Sequence, residues 1–157
     1  MRDISHDLLI SANSFYYKYK GVDDKTASKR PEPKEWSLKE IIGHLINSAS
    51  NNQQRFLGLQ FVPEMQSPPY QKHHLEWIGT EKFNELKFDD LFLLWQQYNI
   101  LNAHIIANMD TSKLDNVLIM DDGRKIPLKA IANDYVKHLK IHLGQFEETL
   151  NQINRQA

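Results

Sequence analysis

Two histidines four residues apart, His138 and His142, sit inside an apolar stripe of Ile131, Tyr135, Phe146 and Ile153 that has helical spacing. On an α-helix such residues lie about 6 Å apart along one face, so both imidazoles could reach a single ion with nitrogens about 2.1 Å from it. Two neutral imidazoles side by side in an apolar stripe would each need a partner, and one shared cation satisfies both. The same pattern would arise from two core histidines satisfied by hydrogen bonds. It would also arise if the stripe were displaced by one position and both rings faced water. His44 adds a third ring, beside Ile41 and Ser48 on the inward side of another helical segment. Three histidines from two helices would make a catalytic type of metal site, with a position open for water or substrate. A closed structural site would want four ligands, and no cysteine is present to be the fourth. The zincin motif, His-Glu-x-x-His, is absent because Leu139 follows His138.

The other histidines carry less. His6 reads as a solvated first-turn residue, and His104 shares its face with the polar Gln97 and Asn108. His73 and His74 fall in a long connection with Tyr70 and Trp77. Most such residues are surface, yet this segment could cover the open side of a metal, so His73, His74 and Trp77 are candidate substrate contacts. Asp134, one turn before His138, could hydrogen-bond an imidazole and fix its tautomer. Glu40 precedes His44 by one turn, and Gln145 follows His142 by three residues. For these three a solvated face or a cap is the plainer role, and no residue declares itself a catalytic acid or base.

Four helices would position these groups. The first spans about Ile4 to Tyr19, with Ile4, Leu8, Phe15 and Tyr19 on one face. The second opens at a capping box, Ser37-Leu38-Lys39-Glu40, with Trp36 before it as a hydrophobic staple, and reaches about Phe56. The third, about Asp89 to Met109, repeats Leu91, Leu94, Trp95, Tyr98, Leu101 and Ile105. The fourth runs from near Pro127 to about Ile153. Between the second and third lies a long crossover, Pro63 to Lys87, where Pro68-Pro69 excludes regular structure and Glu81 to Leu86 suits a short helical turn. Val117 to Met120 and Arg124 to Pro127 flank Asp121-Asp122-Gly123 and predict a small hairpin before the last helix. Helix-on-helix packing follows: an all-α, four-helix bundle, with residues 1–157 as a single domain.

Composition narrows the function. Nineteen basic and twenty acidic residues give a net charge of −1, so nothing holds a phosphate backbone and no nucleic acid partner is expected. With no cysteine there are no disulfides or thiolate nucleophiles, and any metal must bind nitrogen or oxygen. Charges at the N-terminus do not suit a signal peptide, and no window approaches a membrane span of about 20 apolar residues. A cytoplasmic location, with no membrane partner, is expected.

Three segments carry a resemblance. Trp36-Ser37-Leu38-Lys39-Glu40-Ile41-Ile42-Gly43-His44-Leu45 resembles the second-helix signature of the DinB-like (YfiT-type) metalloenzymes. Leu94 to Asn99 is similar to their third helix, and Asp134 to Gln145 to their fourth, where paired histidines precede a glutamine. The resemblance spans nearly the whole chain in order. It implies an up-down-down-up arrangement, a nickel or zinc ion on His44, His138 and His142, and a homodimer. It also implies a metal-dependent enzyme acting on a small-molecule substrate. Characterised branches include transferases and isomerases that use low-molecular-weight thiols such as mycothiol or bacillithiol, so S-transfer from such a thiol to an electrophile is the first expectation. A metal-dependent small-molecule hydrolase, or a non-catalytic metal- or ligand-binding bundle of the stress response, are the alternatives.

Overall fold

The computed structural model describes residues 1–67 and 70–156, so Pro68-Pro69 lies outside the described residues. Helix α1 (Arg2–Tyr19) is followed by a single turn, α2 (Asp24–Ala27), and then by α3 (Leu38–Gly58). The crossover holds strand β1 (Glu64–Gln66), helix α4 (Tyr70–Glu81) and a 3-10 turn at Phe83–Glu85. After α5 (Phe88–Ala107) and a second 3-10 turn at Thr111–Lys113 come β2 (Val117–Ile119), β3 (Lys125–Pro127) and α6 (Leu128–Gln156). Among the described residues no helix is long and apolar enough to cross a membrane.

Helix directions follow from which side chains meet. The Ser5 hydroxyl donates to the Ala103 carbonyl while Gln96 donates to Asn13, so α1 and α5 are antiparallel. Asn102 donates to the Ala49 carbonyl and the Asp110 N–H to Gln60, so α3 and α5 are parallel. His44 meets His142 while Phe56 meets Tyr135, which makes α3 and α6 antiparallel. This is the up-down-down-up bundle.

The start of α3 is fixed by local chemistry. Ser37 accepts from the Glu40 N–H, and Glu40 accepts from the Ser37 N–H at 2.9 Å, closing the capping box. Glu40 also takes both arms of the Arg30 guanidinium, tying the preceding loop to the helix. Burial alone would raise the Glu40 carboxyl, but the Arg30 and Ser37 hydrogen bonds outweigh it and hold the group below its ordinary value. A carboxylate with a lowered folded pKa stabilises the protein above the unfolded value and loses that contribution as pH falls through the folded one. Arg30→Met should therefore cost about 1 kcal/mol at neutral pH, a modest figure because Arg30 is half exposed. In urea titrations repeated across pH, the gap from wild type should close below about pH 4. A gap that persists into acid would place the effect elsewhere.

The core joins Leu8, Ala12 and Phe15 of α1 to Phe92 and Trp95 of α5 and Phe146 of α6. Phe15 meets Phe146 edge-on at 5.1 Å, and Phe92 stacks on Trp95 at 5.3 Å. On α5 the buried face differs from the expected stripe. Leu94 and Leu101 are each 46% exposed, whereas Gln96, Asn99 and Asn102 are buried. Those amides are bonded inside: Asn99 donates to the Trp95 carbonyl and accepts from the Tyr135 hydroxyl at 2.6 Å. Hydrogen-bonded amides thus take buried positions on α5 that apolar counting left to leucines.

The hairpin forms as expected, with β2 and β3 antiparallel around Gly123, whose φ is +82°, a value glycine adopts without strain. β1 adds a third strand parallel to β2, pairing Glu64 with Val117 and Gln66 with Ile119. The crossover is therefore more ordered than expected. Its helix α4 gives little periodic signal because Leu75 is 60% and Trp77 40% exposed while Ile78 is buried. Phe83, which lacks an obvious internal place in the sequence, is buried against Gly43; Phe61 is 85% exposed.

Candidate metal centre

Antiparallel packing of α3 on α6 turns His44 towards His138 and His142. One nitrogen from each ring lies within 4.8 Å of the others. His138 Nε2 is 3.4 Å from His44 Nε2 and 3.1 Å from His142 Nε2. Two nitrogens held about 2.1 Å from one ion stand about 3.0 Å apart at a right angle and about 3.4 Å apart at the tetrahedral angle. The donor set therefore fits a single transition ion.

Tautomers support the fit. Gln145 Oε1 accepts from His142 Nδ1 at 2.7 Å, so the His142 proton sits on Nδ1 and its Nε2 offers a lone pair. The Ser48 hydroxyl stands 3.5 Å from His138 Nδ1, a longer contact on the same side of that ring. At 3.1 Å the Nε2 atoms of His138 and His142 are close enough to share a proton, or to share a cation in its place. The His44 and His138 rings are also kept neutral. Burial, then the neighbouring imidazoles of His142, His138 and His74, pushes His44 down to about 3. Burial, then His142 and His74, pushes His138 down to about 4. Near neutral pH neither nitrogen has to shed a proton before it binds a metal.

The cluster opens into a cavity of about 420 Å³. One wall is apolar, from Leu118, Met120 and Ile126 of the sheet region together with Ile131. The α3 part of the lining is polar, from Ser48, Asn51, Asn52 and Arg55. Trp36 and His74 complete the histidine end, with ring centroids 5.2 and 5.8 Å from that of His44. Of the three crossover candidates, His74 lines this cavity. His73 is exposed at a kink in α4, 3.6 Å from Glu76, and Trp77 lies outside the lining. Asp134 lines the cavity but engages Lys137 at 3.7 Å, and the contact expected of it on His138 is supplied by Ser48. Glu40 serves the cap, and His6 and His104 are exposed.

Sequence reasoning missed Arg55. Its signal was spacing, since His44, Ser48, Asn51 and Arg55 recur at intervals of three and four residues and so share one face of α3. The sheet wall had no such signal, because a three-residue strand gives too little alternation to show which side chains face inward.

No family model matches the chain, and no curated protein matches it. Among solved structures, YfiT from Bacillus subtilis superposes with a TM-score of 0.84 at 14% sequence identity, covering 97% of this chain and 86% of that one. YfiT is described as a probable metal-dependent hydrolase with an unusual four-helix bundle topology. At this identity the likeness is one of fold, and it reaches nearly every element set out above. The chain has the YfiT type of four-helix bundle, with three histidines gathered in its cavity.

Proposed function

We propose that the protein is a metal-dependent enzyme acting on a small molecule, with His44, His138 and His142 holding one divalent transition ion, nickel or zinc. Convergence of three imidazole nitrogens at the head of a cavity carries this reading. Imidazole suits both metals, and availability usually decides between them. When bound, such an ion would supply Lewis acidity at the open side of the cluster, favouring the ionised form of a thiol or of water near neutral pH. Gln145 and Ser48 hold the rings in the orientation that needs. The apolar sheet wall and Trp36 exclude water around the substrate, and His74 contacts it from the crossover, with His73 and Trp77 on the approach.

We read the reaction as S-transfer from a low-molecular-weight thiol to an electrophile. Among the described lining residues the one carboxylate is Asp134, exposed and paired with Lys137. Zincin-type hydrolysis relies on a carboxylate base next to the ligands, whereas a thiol beside a dication ionises without one. Small-molecule hydrolysis is the second reading, favoured by the description of YfiT. Incubating metal-loaded protein with a cysteine-derived thiol and chlorodinitrobenzene separates the two. S-transfer predicts that thiol and electrophile disappear one for one, with chloride released, and that His74→Ala slows this at full metal content. Ester turnover without thiol would establish the hydrolase instead, and neither activity would leave a binding bundle.

We also propose a homodimer. Phe61 is 85% exposed, and Leu93, Leu94 and Leu101 leave an apolar face on α5 turned outward. Light scattering should report twice the 18.4 kDa chain mass at micromolar concentration. A constant 18.4 kDa would refute the dimer.

A further inference from the structure

Arg55 is 8% exposed and lines the same cavity as the three histidines, where it is the one arginine or lysine among the described lining residues. Asn52 Oδ1 accepts from its Nη1 at 3.5 Å, and Asn52 is itself fixed by donating to the Ser48 carbonyl at 2.9 Å. Asn51 is anchored in the same way on the Asn47 carbonyl. A guanidinium set in a low-dielectric wall projects a stronger positive potential into the cavity than one at the surface.

We propose that Arg55 is a carboxylate subsite, and that the substrate carries its carboxylate at one end and its reacting group at the other. The proposal rests on the three-histidine centre described above and names the class of molecule it receives. The planar fork of arginine matches a carboxylate with two parallel hydrogen bonds, and a single guanidinium balances a single negative charge, which favours a carboxylate over a phosphate dianion. Length follows from α3. Ser48 touches His138, and seven residues separate Ser48 from Arg55, or about 10 Å at 1.5 Å per residue. An extended chain of a few carbons suits a gap of that order. The apolar side of such a chain lies against Leu118, Met120 and Ile126.

The probes are 4-mercaptobutanoate and 1-butanethiol, which share a thiol and differ in the carboxylate. Calorimetric titration of zinc-loaded wild type should show 4-mercaptobutanoate binding at least tenfold tighter. Arg55→Met should bring the two to within about twofold at unchanged zinc content. Arg55→Lys, which keeps the charge and loses the fork, should retain part of the difference and serves if the methionine variant does not fold. Equal affinities in wild type, or a preference undiminished in Arg55→Met, would overturn the subsite. Zinc content measured on the same samples tests the metal centre separately. Carboxylate preference that depends on Arg55 in zinc-free protein would uphold the subsite while the metal reading failed.

Discussion

His138→Ala should abolish stoichiometric metal binding while leaving the helix content of the protein intact. His138 is the middle of the cluster, with the 3.1 and 3.4 Å separations both measured from its Nε2. Removing it leaves His44 and His142, on different helices, with no donor between them. Loss of a partner that merely orients a ligand costs roughly 10–100-fold in affinity, so loss of the ligand itself should exceed 100-fold. Gln145→Leu provides the graded comparison, since it removes only the acceptor on His142 Nδ1 and should fall in that smaller range. The bundle should survive, because its core of Phe15, Phe92, Trp95 and Phe146 lies apart from the ring nitrogens. Calorimetry supplies a second readout. Metal at 100 times its dissociation constant stabilises the folded state by about 2.7 kcal/mol, which for a chain of this size raises Tm by roughly 5–10 °C. That metal-dependent rise should vanish in His138→Ala. Full metal retention by the variant would show that the ion sits elsewhere.

Gly43→Ala should be among the most destabilising single substitutions in the chain, although alanine is the better helix former by about 1 kcal/mol. Phe83 explains the reversal. A Cβ on Gly43 would fall 2.2 Å from the Phe83 ring, well inside contact distance, and the ring is buried where the 3-10 turn docks on α3. Either the ring is expelled, forfeiting burial worth about 3 kcal/mol, or α3 moves beside His44. A loss of about 3 kcal/mol should lower Tm by roughly 6–12 °C. Gly144→Ala on α6 is the control, because nothing lies within 4 Å of its added carbon and the same exchange should stabilise by about 0.5–1 kcal/mol. Combined with Phe83→Ala, Gly43→Ala should add little further cost, since its methyl enters space the ring has left. Equal and independent losses in the two single variants and their double would remove Phe83 as the cause.

Much of this architecture is legible before any coordinates. The four long helices and the capping box at Ser37 rest on local periodicity and local hydrogen bonds. The turn at Gly123 rests on a short dipeptide signal. The pairing of His138 with His142 needs only helical spacing, and His44 needs only its place on an amphipathic face. What stayed hidden depends on partners distant in sequence. The orientation of α5 is set by Asn99 and Asn102 finding Tyr135 and the Ala49 carbonyl, so its buried face is partly polar. β1 exists because Glu64 to Gln66 pairs in parallel with Val117 to Ile119 across the whole of α4 and α5. Gly43 gives no sign in the sequence that Phe83 occupies the space above it.

The central claim is that His44, His138 and His142 together hold one ion, and metal analysis with X-ray absorption on the purified protein tests it most directly. Protein prepared without chelator, or reloaded with nickel or zinc, should contain one equivalent per chain, and its absorption fine structure should fit three imidazole nitrogens at about 2.1 Å. Less than a tenth of an equivalent after reloading, or one equivalent whose spectrum needs no imidazole, would contradict it.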